Sequence, residues 1–178
     1  GPVAMPPPLG ARGWPVVSAQ EMFAAAIDLW IGAKGGRGCD LAIMTAAVAD
    51  FRPASRAAEK LKKQDGQEHM HLSLTRNPDI LALLSAWSGV LVHGRRRGVI
   101  GFAAETGDAV RKGREKLARK RCDLLVVNDV AAPECGFGAD TNAVTLIGRD
   151  GREEVWPLLP KEAVASRLIQ VAAALLDT

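Results

Sequence analysis

The apolar positions change period several times along the chain, and the changes mark out an alternation of strands and helices. After a Pro- and Gly-rich, irregular lead-in over residues 1–13, Trp14 to Ser18 is a short strand candidate. Ser18-Ala19-Gln20-Glu21 fits a capping box: the Ser18 hydroxyl accepts from the amide three residues on, and Glu21 reaches back. Met22, Phe23, Ala26, Ile27 and Trp30 then recur at helical spacing. They predict a helix to about Lys34, ended by Gly35, Gly36 and Gly38. Leu41 to Thr45 is a continuous apolar run, as in a buried parallel strand. Ala46 to Lys63 has no clean period and reads as a functional loop. His69 to Leu74 alternates and predicts a peripheral strand. Asn77-Pro78 opens a helix, with Asn77 as cap and Pro78 at the first helical position. Val99 to Ala103 and Asp123 to Val127 are two further buried strands, with a basic helix from about Asp108 to Lys120 between them. Thr145 to Ile147 and Glu154 to Trp156 flank Arg149-Asp150-Gly151, a hairpin signal. A last helix runs from near Lys161 to about Leu176.

Strand and helix alternate for most of the length, which predicts an α/β fold: a parallel sheet with helices on both faces. The late hairpin adds antiparallel strands at one edge. The 178 residues favour one domain. Apolar residues at 48% and charged residues at 24% are ordinary for a globular protein, and no apolar run approaches the ~20 residues that span a bilayer. Nothing at the N-terminus has the form of a signal peptide, a basic region followed by an apolar one. Cys39, Cys122 and Cys135 are odd in number and too far apart for a zinc site, so they read as reduced thiols. A net charge of +3 permits anionic ligands without demanding nucleic acid.

In an open parallel sheet, ligands bind beyond the carboxyl ends of the strands. Three segments fall there: Ala46 to Pro53 with Asp50, Phe102 to Thr106 with Glu105, and Asn128-Asp129-Val130. The small alanines of the first two let a flat ligand approach the backbone; turn chemistry and helix capping would account for any one of them alone. Lys60-Leu61-Lys62-Lys63 is a dense basic cluster, either a solvated run or a loop that closes on a polyphosphate. Lys112, Lys116 and Lys120 lie on one face of their helix, as an anion-facing stripe or an exposed basic face. Asn77 to Ile80 offers backbone amides at a helix start, suited to a phosphate or the polar edge of a base. Arg95-Arg96-Arg97 is expected in an exposed turn, and His69 and His71 on the surface. Neither the Gly-x-Gly-x-x-Gly fingerprint nor a P-loop occurs.

The order of these segments carries a resemblance. Ala46 to Asp50, Glu59 to Lys63, Asn77 to Ile80, Gly101 to Thr106, Lys116 with Lys120, Asn128 to Val130, and Phe137 followed by Asp140 and Asn142 stand in register with one family. The chain resembles the bacterial phosphopantothenate–cysteine ligase domain, often the C-terminal half of a bifunctional coenzyme A biosynthesis protein. The resemblance implies a Rossmann-like fold, a homodimer, a cytoplasmic location, CTP as co-substrate and Mg²⁺ as cofactor. It implies that 4′-phosphopantothenate is joined to cysteine through an acyl-cytidylate. It assigns CTP binding to Ala47, Asp50, Lys60, Asn77, Pro78, Asp79, Ile80, Phe102, Lys116 and Lys120, with Lys60 catalytic. It places Lys62, Lys63, Glu105, Asn128, Asp129, Phe137 and Asn142 at the substrate or in support of the site. It names no metal ligand.

The family pattern begins with a Gly-rich strand–turn–helix and an Asn- and Ser-containing stretch that helps hold phosphopantothenate. Nothing here matches either. The chain, which opens Gly1-Pro2 without Met, is expected to lack one edge of the substrate site and one core strand, and so to be incomplete as a catalyst. The flavin-dependent decarboxylase of bifunctional relatives, fused or separate, is the expected protein partner, with no role for nucleic acid or membrane. The competing readings are a nicotinamide-dependent oxidoreductase, which the missing glycine fingerprint opposes, and a basic nucleic-acid-binding module. The second would need aromatic interleaving, and aromatics make up only 4%.

Overall fold

The structure is a computed structural model that describes residues 7–32, 37–62, 68–92, 94–129 and 139–177. Its frame is a five-stranded sheet. Strand β1 (Leu41–Met44) is parallel to β6 (Gly98–Glu105), which is parallel to β7 (Leu124–Asp129). The hairpin of β8 (Thr141–Gly148) and β9 (Glu153–Pro160) extends it antiparallel, in the order β1-β6-β7-β8-β9. The predicted parallel core and antiparallel edge are therefore both present. Two short ribbons stand apart: β2 (Phe51–Pro53) with β3 (Leu74–Arg76), and β4 (Leu91–Val92) with β5 (Arg95–Arg96).

Side chains alternate across the sheet and build a core on each face. On one face Val99, Ala103, Leu125 and Val127 pack against Trp30 of α1 (Ala19–Ile31), Ile80 and Leu84 of α2 (Ile80–Ser85), and Leu117 of α3 (Ala109–Lys120). On the other, Ile100, Leu124, Val126 and Leu146 meet Val164, Leu168 and Ala172 of α4 (Lys161–Leu176), with Trp156. Each fully buried Val, Leu or Ile contributes roughly 1.5–3 kcal/mol, so this double core dominates the stability. At Gly101 the two layers touch: a Cβ there would lie 2.7 Å from Leu81 Cδ2. The absent side chain lets α2 sit directly on β6, which sets the segment before α2 over the strand's carboxyl end.

Several local expectations shift. The capping box at Ser18 forms in full, but α1 stops at Gly32, whose left-handed φ of 74° ends it before Lys34. Gly35 and Gly36 lie outside the described residues. Trp14 to Ser18 is not a strand: the Val17 amide donates to the Glu21 carboxylate at 2.7 Å, leaving it unavailable for a ladder. The peripheral strand is Leu74–Arg76 rather than His69–Leu74, because its pairing with β2 sets Phe51 opposite Arg76. Asn77 does not cap α2. Asp79 does, accepting from the Ala82 amide at 3.1 Å, so Pro78 precedes the helix. Arg95 and Arg96 form β5, and Arg97 is not in an exposed turn but 3% exposed, its guanidinium 5.0 Å from the Trp30 ring centroid. The turn into β6 points it inward beneath α1. Among the described residues no helix is long and apolar enough to cross a membrane.

Candidate active site

The carboxyl ends of β1, β6 and β7 open into a cleft of about 920 Å³. Its floor is Phe102, Ala103 and Ala104 of β6 with Asn128 of β7. One wall is the segment from Met44 to Asp50, the stretch from Asn77 to Leu81, and Lys116 and Lys120 of α3. The opposite wall carries Asn142 of β8 and Lys161, the first residue of α4. Of the residues expected from the sequence, Ala47, Asp50, Asn77, Pro78, Asp79, Ile80, Phe102, Lys116, Lys120, Asn128 and Asn142 meet here.

The first wall is held by polar bonds between segments far apart in sequence. The Asn77 side chain donates to the Ala49 carbonyl at 2.8 Å and accepts from Arg52 Nη1 at 3.2 Å. Its backbone amide donates to the Asp50 carbonyl at 2.8 Å. The β2–β3 ribbon continues this alignment outward, so strand end and α2 entry form one unit. Asp79 has two duties. It caps α2, and it receives the ammonium of Lys120. Lys116 lies 3.5 Å from Glu105. Lys112 instead donates to the Thr106 carbonyl at 2.5 Å and is not part of the cleft lining, so the predicted stripe of three contributes two cations. The α3 helix is pinned at its start by Asp108, which accepts from the Arg111 amide and side chain, and this pairing holds the Asp108 carboxyl below its ordinary range.

Residues 1–176 match the family described as "DNA/pantothenate metabolism flavoprotein C-terminal domain". The chain belongs to this family. It is 42% identical over 176 residues to the "Coenzyme A biosynthesis bifunctional protein CoaBC" of Bacillus subtilis, covering 98% of this chain and 40% of the relative. The protein of that name from Escherichia coli K12 is 38% identical over 170 residues, covering 95% and 39%. Among solved structures, the C-terminal domain of a coenzyme A biosynthesis bifunctional protein CoaBC superposes with a TM-score of 0.67 at 31% identity. That match covers 96% of this chain and 69% of the other. The DNA/pantothenate metabolism flavoprotein from Streptococcus pneumoniae superposes at 0.62 with 18% identity, over 89% and 71%, and shares the Rossmann-like fold. The chain thus spans about 40% of the length of the curated relatives it matches.

Within this family member the remaining expected residues are scattered. Lys60 and Lys62 are exposed on the segment after β2 and are not among the cleft-lining residues. Lys63, Val130 and Phe137 lie outside the described residues, and Asp129 is described only as the last position of β7, opposite Glu105. Glu105 serves the site through Lys116. Lys161 was not among the residues expected from the sequence. The available signal was a lysine just after Pro160, at a helix start where the macrodipole disfavours a cation. Of the cysteines, Cys122 is buried, Cys39 is exposed and Cys135 lies outside the described residues. No group of three or more His, Cys, Asp or Glu side chains that could hold a metal ion occurs among the described residues.

Proposed function

We propose that this domain joins 4′-phosphopantothenate to L-cysteine in a CTP-dependent ligation within coenzyme A biosynthesis. The observation that carries the reading is the convergence of Asp50, Asn77 to Ile80, Phe102, Lys116 and Lys120 on one strand-end cleft in a member of this family. The carboxylate of the acid attacks the α-phosphorus of CTP. The bond to the bridging oxygen breaks, and pyrophosphate leaves. The amine of cysteine then attacks the acyl carbon, CMP departs with the acyl C–O electron pair, and the amine loses a proton as the amide forms. No step needs an enzyme nucleophile.

The chain's own residues suit such a substrate. Glu105 and Asp79 hold Lys116 and Lys120 in position until the phosphates of CTP compete for them. Fixed cations act most strongly where charge develops in the transition state, here on the α-phosphate and the departing pyrophosphate. Lys60, on the exposed segment after β2, supplies the cation that engages only when substrate is present. Mg²⁺ would be held by one or two carboxylates together with the substrate phosphates. Asp50 fits that role, as a cleft carboxylate with no ion pair among the described residues. The metal would neutralise phosphate charge.

The domain acts in the cytoplasm as a homodimer. The exposed apolar Phe51, Met70, Leu72 and Leu74 on and beside the β2–β3 ribbon support a protein contact there. The relatives are named bifunctional, which supports a flavin-dependent decarboxylase as the companion activity. Calorimetric titration tests the reading: CTP binds at least about tenfold tighter than ATP, a difference of roughly 1.4 kcal/mol. Binding of NADPH with no binding of CTP overturns it in favour of an oxidoreductase.

A further inference from the structure

Strand β2 has an inverted polarity for a surface ribbon. Its outer residues, Phe51 and Pro53, are exposed, and the one residue that turns inward is the charged one, Arg52. Side chains alternate along a strand, so turning Arg52 inward leaves the apolar Phe51 50% exposed. A local choice that sacrifices apolar burial marks a role for the guanidinium. Arg52 does not line the cleft. Its Nη1 donates instead to the Arg76 carbonyl at 2.5 Å and to Asn77 Oδ1 at 3.2 Å. Asn77 is thereby held from two sides, because its Nδ2 donates to the Ala49 carbonyl at 2.8 Å. The two contacts specify one orientation of the amide. Turned over, it would set its NH₂ against the guanidinium and its oxygen against a carbonyl. With the amide so oriented, Asn77 binds the Ala49 carbonyl by its side chain and the Asp50 carbonyl by its backbone. Ala49, Asp50 and Asn77 all line the cleft.

We propose, on the strength of the ligase reading above, that Arg52 is a positioning residue for the nucleotide: it fixes the Asn77 amide, and through it the Ala49–Asp50 segment, without touching the ligand. This differs from direct electrostatic help, in which a cation near the phosphates would act whatever stands at position 77. The way Arg52 donates also sets which residue can replace it. A guanidinium is hard to replace where its planar fork engages two acceptors through two nitrogens. Here one nitrogen makes both bonds, and a lysine ammonium, with three donors on one atom, meets the same demand.

The test is calorimetric titration with CTP of the full chain and of its Arg52→Met, Arg52→Lys, Asn77→Ala and combined Arg52→Met, Asn77→Ala variants, with a melting curve for each. Arg52→Met is expected to weaken CTP binding several-fold, up to about tenfold, the loss expected of Asn77→Ala through which it acts. Arg52→Lys is expected to recover most of the affinity. In the Asn77→Ala background, Arg52→Met is expected to cause no further loss, whereas independent contributions would multiply. Arg52→Gln, too short to meet both acceptors, takes the place of Arg52→Met if that variant fails to fold. CTP affinity that is unchanged in Arg52→Met, or losses that multiply in the combined variant, overturns the assignment, the second outcome leaving Arg52 a general structural or electrostatic role. A wild-type chain that binds no CTP overturns the ligase reading, and the role of Arg52 with it.

Discussion

The side-chain amide of Asn77 donates to the backbone carbonyl of Ala49 at 2.8 Å, joining the end of the β1 segment to the entry of α2. Asn77 also accepts from Arg52, so one residue ties together the wall proposed to take the nucleotide. Replacing it with Ala removes two hydrogen bonds, each with a net contribution of about 0.5–1.5 kcal/mol. Asn77→Ala is expected to weaken CTP binding by about tenfold and to lower Tm by a few degrees. Asn77→Asp is expected to be worse, since it sets a carboxylate against the Ala49 carbonyl. Calorimetry with CTP and a melting curve check both. An Asn77→Ala chain that binds CTP like the wild type removes this residue from the site.

The sheet was legible because its signals are local and redundant. Leu41 to Met44, Val99 to Ala103 and Leu124 to Val127 carry no charged or polar side chain, which is the pattern of strands buried on both faces. The capping box at Ser18 and Glu21 was legible because its partners are three residues apart. The failures are choices between neighbouring candidates that only tertiary contacts decide. Asn77 and Asp79 are both good caps. Asn77 is drawn away by the carbonyl of Ala49, which leaves α2 to Asp79. Gly32 ends α1 although three later glycines looked equally able. Arg97 looked exposed beside two other arginines, and the aromatic surface that takes it in, Trp30, is distant in sequence. For the site, motif order gathered the residues of the cleft floor and of the wall made by the α2 entry and α3. Lys161 carried only the weak local signal of a cation at a helix start, and nothing in the sequence places that helix start beside a cleft until the β8–β9 hairpin brings it there.

On the proposed function Lys60 contacts CTP and carries the chemistry, and it has no part in folding. It is exposed and lies outside the cleft lining, so its removal costs no buried contact. Lys60→Gln is expected to keep the wild-type Tm within about 1 °C, since exposed substitutions away from special features stay within ±0.5 kcal/mol. CTP binding is expected to weaken by less than the chemical step. Formation of the acyl-cytidylate, followed as pyrophosphate release, is expected to fall by at least about a hundredfold, as when one preorganised donor to a developing charge is lost. Pyrophosphate release at the wild-type rate would remove Lys60 from the mechanism.

Helix α3 carries Lys116 and Lys120 on a close contact with the sheet. A Cβ at Gly113 would lie 2.6 Å from Val127 Cγ2 and 2.9 Å from Ile147 Cδ1. Two effects oppose each other in Gly113→Ala. Alanine favours the helix by up to about 1 kcal/mol. Overpacking a core costs typically 1–3 kcal/mol. Both contacted residues are buried and belong to neighbouring strands, so neither side chain can swing into solvent, and the clash prevails. The expected result is a Tm lower by a few degrees together with weaker CTP binding, because α3 must lift and take its lysines with it. A raised Tm would show that the strand side chains yield more easily than this packing allows.

The two described cysteines are expected to differ sharply in reactivity. Burial against the sheet raises the Cys122 thiol to about 11, with backbone hydrogen bonding from Gly101 opposing the shift. Cys39 is exposed. The thiolate is the reactive form, so iodoacetamide at pH 8 is expected to label Cys39 and leave Cys122 unmodified until the chain unfolds, as peptide mass mapping would show. The same shift has a consequence for stability. A thiol whose folded value is raised is held neutral in the native state. Its contribution is complete below the unfolded value and is lost as pH rises through the folded one, a window from about 9 to about 11. Lysines titrate in this window too, so the informative quantity is the Tm difference between wild type and Cys122→Ala. That difference is expected to be constant from pH 6 to 8 and to shrink as pH approaches 11. A difference that does not narrow would mean that Cys122 ionises no more reluctantly in the folded chain than in the unfolded one.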